Sequence, residues 1–379
     1  MKSFYIFIVV ALLGLSSCKE RYNPETTSIN SNVLIVEGFI NTGADSTFVK
    51  LSRSVILANK NLANPEVGAT LTIETSANES RVLVEKGKGV YATSPLNFGL
   101  NKKYRLKIRT KNGSTYESDF VEATVSPQID SVNYKVTPEG LQLYVNANDP
   151  TNKTRYYRWD YDETWIFYAK HFATQKWTGG PTAVFRDFSE SVYKCWGNSN
   201  SSTIVIGSSV QLEKDVIYLA PLAQISSTSE KLSEKYSILV KQYALSKEAY
   251  EFWQNLKKNT EGLGSIFDVL PSQINGNIRN SGSTAEQVIG YISAGTSQKR
   301  RIFISKDALP NWIVKYPYDC GELDTVRLAN QRSVFSTEYV PVTEVVDDMT
   351  GLVIAHTGAP RYCADCTVRG TVKRPSFWQ

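Results

Sequence analysis

The sequence predicts a mainly β protein: an N-terminal Ig-like or prealbumin-like antiparallel sandwich, then a larger β-sandwich-like domain carrying one short amphipathic helix. Three observations predict it. From Val33 onward, short β-branched or alternating runs recur with turn signals between them. Aromatic residues reach 11%, with 21 Tyr and 7 Trp, which suits strand packing. Only residues 246–261 repeat their apolar positions at helical spacing.

Residues 33–40, 48–51, 69–74, 104–109 and 115–118 read as strands of a first domain over 33–125, with Lys111-Asn112-Gly113 as a hairpin turn. Alternation puts Tyr104, Leu106 and Ile108 on a core face and Arg105, Lys107 and Arg109 on a wet one. Pro127 pushes Ser126 out of the helical region and opens the second domain, 127–379. There, 129–134 and 141–145 read as strands, 149–152 as a turn, and 155–168 as a pair of aromatic strands. Residues 236–243 are a further strand. Ser246 then caps a helix whose Ala249, Phe252, Trp253 and Leu256 recur at i, i+3, i+4 and i+7. Glu248 in the first turn and Lys257 and Lys258 in the last complement the helix dipole, and Gly262 follows as a stop. Residues 288–293 and 302–305 read as a hairpin around the basic turn 298–301.

The first residues carry a secretory signal. Lys2 is followed by an apolar run over 4–13 and by Leu15-Ser16-Ser17-Cys18, which looks like a lipobox. A membrane-spanning helix would need roughly 20 apolar residues, and Lys19, Glu20 and Arg21 end this run too early. The expectation is a signal peptide over 1–17, lipidation of Cys18, and a polar tether over 18–32. The lipid bilayer is then a partner through acylated Cys18. With 42 basic and 37 acidic residues the net charge is +5, and nucleic acid is not implied.

Asp160, Asp162 and Glu163 stand among Trp159, Tyr161 and Trp165, a composition that invites a sugar-site or glycosidase reading. The plainer alternative is an alternating strand with acids on its wet face. The three rings are nominated as a ligand or partner surface, without catalytic residues, cofactor or metal. His171 and His356 sit in no zinc-protease motif, and His356 reads as a loop or edge residue. Setting Cys18 aside leaves Cys195, Cys320, Cys363 and Cys366, which allow three pairings. In an exported chain disulfides are favoured over a redox Cys-x-x-Cys or a Cys₄ zinc site, and the favoured set is Cys195–Cys320 with Cys363–Cys366.

Residues 245–253 (LSKEAYEFW), 271–278 (PSQINGNI) with Val288-Ile289-Gly290-Tyr291, and Cys363-Ala364-Asp365-Cys366 with Pro375-Ser376-Phe377-Trp378 carry a resemblance. Val36-Glu37-Gly38, Gly89-Val90-Tyr91 and Tyr116-Glu117-Ser118 add to it. The chain resembles the Bacteroidota lipoprotein family catalogued as domain of unknown function 4249. That resemblance implies an outer-membrane lipoprotein, commonly encoded beside TonB-dependent transporter barrels, with no established catalytic residues. The expected function is a lipid-anchored, non-catalytic binding or accessory subunit beside such a barrel, with a small-molecule, glycan or peptide ligand. The cell surface is favoured over the periplasmic face. The alternative is a surface hydrolase acting on glycans or peptides.

Overall fold

The computed structural model describes residues 32–55, 64–261, 274–283 and 286–378. Cys18, its lipobox and nearly all of the tether lie outside the described residues. Eight strands come first: β1 (Leu34–Asn41), β2 (Thr47–Arg53), β3 (Thr70–Thr75), β4 (Ser80–Gly87), β5 (Val90–Thr93), β6 (Lys103–Arg109), β7 (Thr115–Ser118) and β8 (Val121–Thr124). Next are β9 (Ile129–Thr137), β10 (Gly140–Asn148), β11 (Tyr156–Tyr168), β12 (Gln175–Lys176), β13 (Val184–Phe185), β14 (Lys194–Asn200), β15 (Val205–Ser208), β16 (Val216–Ser226) and β17 (Lys235–Ala244). Helix α1 (Lys247–Glu261) precedes β18 (Ile278–Asn280), β19 (Val288–Ile289), β20 (Ser293–Gly295), β21 (Ser297–Ser305), β22 (Asp324–Arg327), β23 (Tyr339–Val346) and β24 (Val353–Pro360). The protein is mainly β, in several sheets.

The N-terminal sheet closes on itself. Pairing runs β1-β2-β5-β4-β3-β6-β8-β20 and returns to β1, a barrel-like ring of eight strands where an open two-sheet sandwich was expected. Closure removes the unpaired edges that an open sheet would present. The closing strand β20 comes from beyond residue 127, as do β18 and β19, which pair with β7 and β1. Ile278, Val288, Ile292 and Ala294 bury their side chains in the same core as Leu34, Ile73 and Tyr104. Strand β6 keeps the expected phase, with Tyr104, Leu106 and Ile108 inside. Arg105 and Lys107 face outward and pair with Glu74 and Glu117.

Two sheets beyond the ring share one core. The order β14-β11-β17-β21, with β15 against the start of β11, faces the order β16-β10-β9. Leu141, Leu143 and Val145 pack in a common cluster with Tyr157, Trp159 and Ile238. Strand β11 is one continuous run of 13 residues, not two strands. Residues 298–301 lie inside β21, not in a turn, because β21 pairs with β17 from Ser297 to Ser305. The junction is tied by hydrogen bonds: Thr124 Oγ1 donates to the Ala244 carbonyl (2.8 Å), and Gln242 Nε2 donates to that of Pro127 (2.7 Å).

Toward the C-terminus β22-β24-β23 form a further three-stranded sheet. The disulfides are Cys195–Cys366 and Cys320–Cys363, which corrects both expected pairs. The two cysteines of Cys363-Ala364-Asp365-Cys366 belong to different cores. Cys363 lies in a short helical turn, Arg361–Ala364, and packs in the C-terminal cluster that also takes Cys320. Cys366 packs with Cys195 in the central core. His356, expected on a loop or edge, is buried in the middle strand of its sheet, where its Nδ1 meets the Gln331 side-chain amide at 2.6 Å.

Candidate functional site

Period two along β11 decides what its residues can touch. Tyr157, Trp159 and Tyr161 point inward, and Arg158, Asp160 and Asp162 point outward. The rings of Trp159, Tyr161 and Trp165 were the expected binding surface, yet their exposures are 0%, 8% and 9%. This corrects the expectation: they are core. Trp159 Nε1 donates to Gln242 Oε1 at 2.9 Å, satisfying its one polar atom inside the sheet pair.

The three carboxylates separate in the same way. Glu163 shares the inward phase and is 5% exposed. It accepts from Tyr236 Oη at 2.8 Å and from Lys231 Nζ at 2.5 Å. Burial, with the Glu163 charge and hydrogen bond, raises the Tyr236 phenol well above its ordinary pKa. Glu163 is thus locked into a buried polar network whose breakage would leave a charge unpaired. Asp160 and Asp162 instead open onto a cleft.

That cleft, of about 640 Å³, lies where the ring meets the outward face of β11, β17 and β21. Its size falls within the range of small-molecule sites. Arg158 and Tyr243 are directly opposite across β11 and β17, and Asp160, Lys241 and Lys299 form a row across β11, β17 and β21. Phe39 of β1 packs on Tyr243 with centroids 4.8 Å apart. Helix α1 supplies Trp253, whose ring lies 4.2 Å from the Arg158 guanidinium, while the Tyr243 ring lies 4.9 Å from it. Two aromatic faces therefore hold one cation. Burial, then the charge of Asp160, raises the pKa of the Tyr243 phenol.

Four carboxylates and four cations line the cleft and pair one to one. Lys50 meets Glu37 at 3.2 Å, Arg158 meets Asp160 at 2.8 Å, Lys241 meets Asp162 at 2.7 Å, and Lys299 meets Asp45 at 2.8 Å. Each acid in the lining is thus paired with a cation. The more exposed pairs contribute little to stability, about 0–1 kcal/mol each.

An apolar row leads into the cleft over the outside of the ring. Phe39 is paired with Phe48, Phe48 with Ala92, and Ala92 with Val84, so all four share one face. Phe48, Val84 and Val82 are 58%, 60% and 55% exposed. Sequence reading missed Arg158, Lys241, Trp253 and Phe48. The available signal was the alternation in Tyr157-Arg158-Trp159-Asp160-Tyr161-Asp162, where one phase is wholly aromatic and the other wholly charged.

Among the described residues no three His, Cys, Asp or Glu side chains gather as a metal-ligand group. No described helix is long and apolar enough to cross a membrane.

A family model described as domain of unknown function (DUF4249) matches residues 19–301. No curated protein matches the sequence. Among solved structures the chain aligns with an α-2-macroglobulin mutant from Salmonella at 10% identity and a TM-score of 0.19. The alignment covers 86% of this chain and 16% of that one, and so low a score carries no argument about fold or function.

Proposed function

The chain belongs to the family defined by the domain of unknown function DUF4249, and from that premise we propose a non-catalytic binding or accessory lipoprotein. In this reading Cys18 carries the lipid, the outer membrane holds the protein, and a β-barrel of TonB-dependent transporter type is its neighbour. The ring and the two facing sheets form the water-exposed body, the latter as a sandwich-like unit. Tethering in the plane of a membrane raises the effective concentration of a partner, so a weak contact suffices.

The observation that carries the reading is the cleft whose acids are all paired. It is built to present fixed donors, acceptors and an apolar row. The hydrolase alternative has Asp160 and Asp162 in the cleft, but each is held by Arg158 or Lys241, and Glu163 is turned into the core.

The test is purification of the full-length chain from native membranes in mild detergent. Expected is co-elution of an intact outer-membrane barrel, lost when Cys18→Ser removes the anchor. Recovery of the lipoprotein alone would reject the accessory reading. Turnover of a glycan or peptide, abolished by Asp160→Asn or Asp162→Asn, would establish the hydrolase instead.

A further inference from the structure

We propose that the cleft between the ring and the central sheet binds an uncharged, polyhydroxylated ligand, a neutral oligosaccharide. The proposal rests on the binding reading above and names the ligand class of that same site.

Charge is the first argument. Four acids and four bases pair within the lining, so the site has no net field to gather an anion or a cation. A carboxylate or phosphate entering at Arg158 would meet the Asp160 carboxylate 2.8 Å from that guanidinium, and an amine entering at Asp162 would meet the Lys241 ammonium 2.7 Å from that carboxylate. That like charge beside each partner offsets the attraction an ionic ligand would gain.

Hydrogen-bond chemistry is the second. An ion pair presents a donor and an acceptor side by side. Two hydroxyls on adjacent carbons present the matching acceptor and donor, and they can join the pair without separating it. The other polar residues of the lining are uncharged, among them Asn200, Ser202, Thr203, Ser46 and Ser297.

The third is rigidity beside an exposed ring. Arg158 is fixed between Trp253 and Tyr243, so its donors are ordered before a ligand arrives. Phe48 offers an exposed aromatic face at the cleft, suited to the C–H face of a sugar ring. An elongated ligand can continue along the row to Val84 and Val82.

The experiment titrates the full-length, detergent-solubilised protein with four probes: an α-1,4-glucan heptamer, a β-1,4-glucan hexamer, polygalacturonate, and a mixed-charge decapeptide. Expected is calorimetric binding of a neutral glucan, with an affinity that changes little between about 50 and about 500 mM salt. Phe48→Ala, at an exposed position, is expected to weaken it roughly tenfold. Trp253→Ala should weaken it too, with circular dichroism reporting whether that variant still folds. Salt-sensitive binding of polygalacturonate, or binding of the peptide alone, would overturn the ligand class and leave a binding function standing. No binding of any probe by a protein that still co-purifies with a barrel would overturn the cleft as a ligand site. Glucan binding without barrel co-purification would uphold this inference and remove the accessory reading.

Discussion

Arg158 lies between two rings contributed by different elements, with Trp253 of α1 4.2 Å and Tyr243 of β17 4.9 Å from its guanidinium carbon. The contact joins helix to sheet at the wall of the cleft. Replacing Trp253 by Ala removes one cation–π face, at roughly 0.5–2 kcal/mol, together with the apolar area the ring covers. A urea titration of Trp253→Ala should show a loss of about 2 kcal/mol, whereas Phe48→Ala on the exposed row should stay within about 0.5 kcal/mol of the parent.

The disulfides make a chemical prediction. Non-reducing peptide mapping should recover Cys195 linked to Cys366 and Cys320 linked to Cys363, and a Cys363–Cys366 peptide would contradict the fold. The first bond closes a sequence separation of 171 and the second one of 43. In the chain-entropy model these are worth about 5 and about 4 kcal/mol, so Cys195→Ser/Cys366→Ser should lower the urea midpoint more than Cys320→Ser/Cys363→Ser.

Asp149 should mark the acid limb of stability. Burial would raise the pKa of its carboxyl, but hydrogen bonds from the Thr151 hydroxyl and from the backbone amides of Thr154, Thr151 and Lys153 prevail and bring it to about 2. A folded value below the unfolded one means that the carboxylate contributes full stability above pH 3.8 and loses it as pH falls through about 2. Asp149→Asn should cost roughly 2 kcal/mol at neutral pH and flatten the acid limb of a plot of urea midpoint against pH.

His356 titrates with the same sign. Burial lowers its pKa from 6.5, against the opposing charge of Glu344, and Gln331, whose Oε1 already accepts from the Ala183 amide, faces its Nδ1. The neutral ring therefore supports the fold above pH 6.5, and that support is lost as pH falls below it toward the lower folded value. The folded-state ring resonances should titrate below 6.5, and a value at or above 6.5 would contradict the burial seen here.

Two glycines let the segment around β18 and β19 pack closely against β1. A Cβ on Gly276 would lie 1.7 Å from the Gly290 carbonyl oxygen, and one on Gly290, at φ +154°, would lie 2.4 Å from that of Val36. Gly276→Ala should cost about 3 kcal/mol or more through this backbone clash. Hydrogen exchange should then show β18 to β20 losing protection before β9 and β10 do.

The sequence by itself determined the β class, the helix over 246–261 and the inward phase of Tyr104, Leu106 and Ile108, because period and capping are local properties. It also led to the family that the match over 19–301 shows. The tertiary structure decided which face of β11 meets solvent, since aromatic rings serve a buried face and an open one equally well until another sheet covers one of them. It decided the cysteine partners, because the choice depends on which core each flank of Cys363-Ala364-Asp365-Cys366 enters. It decided the ring as well: β1 and β8 need a partner between them, and the chain supplies it from Ser293–Gly295, far along the sequence. Contacts between residues so far apart in sequence leave no local pattern to read.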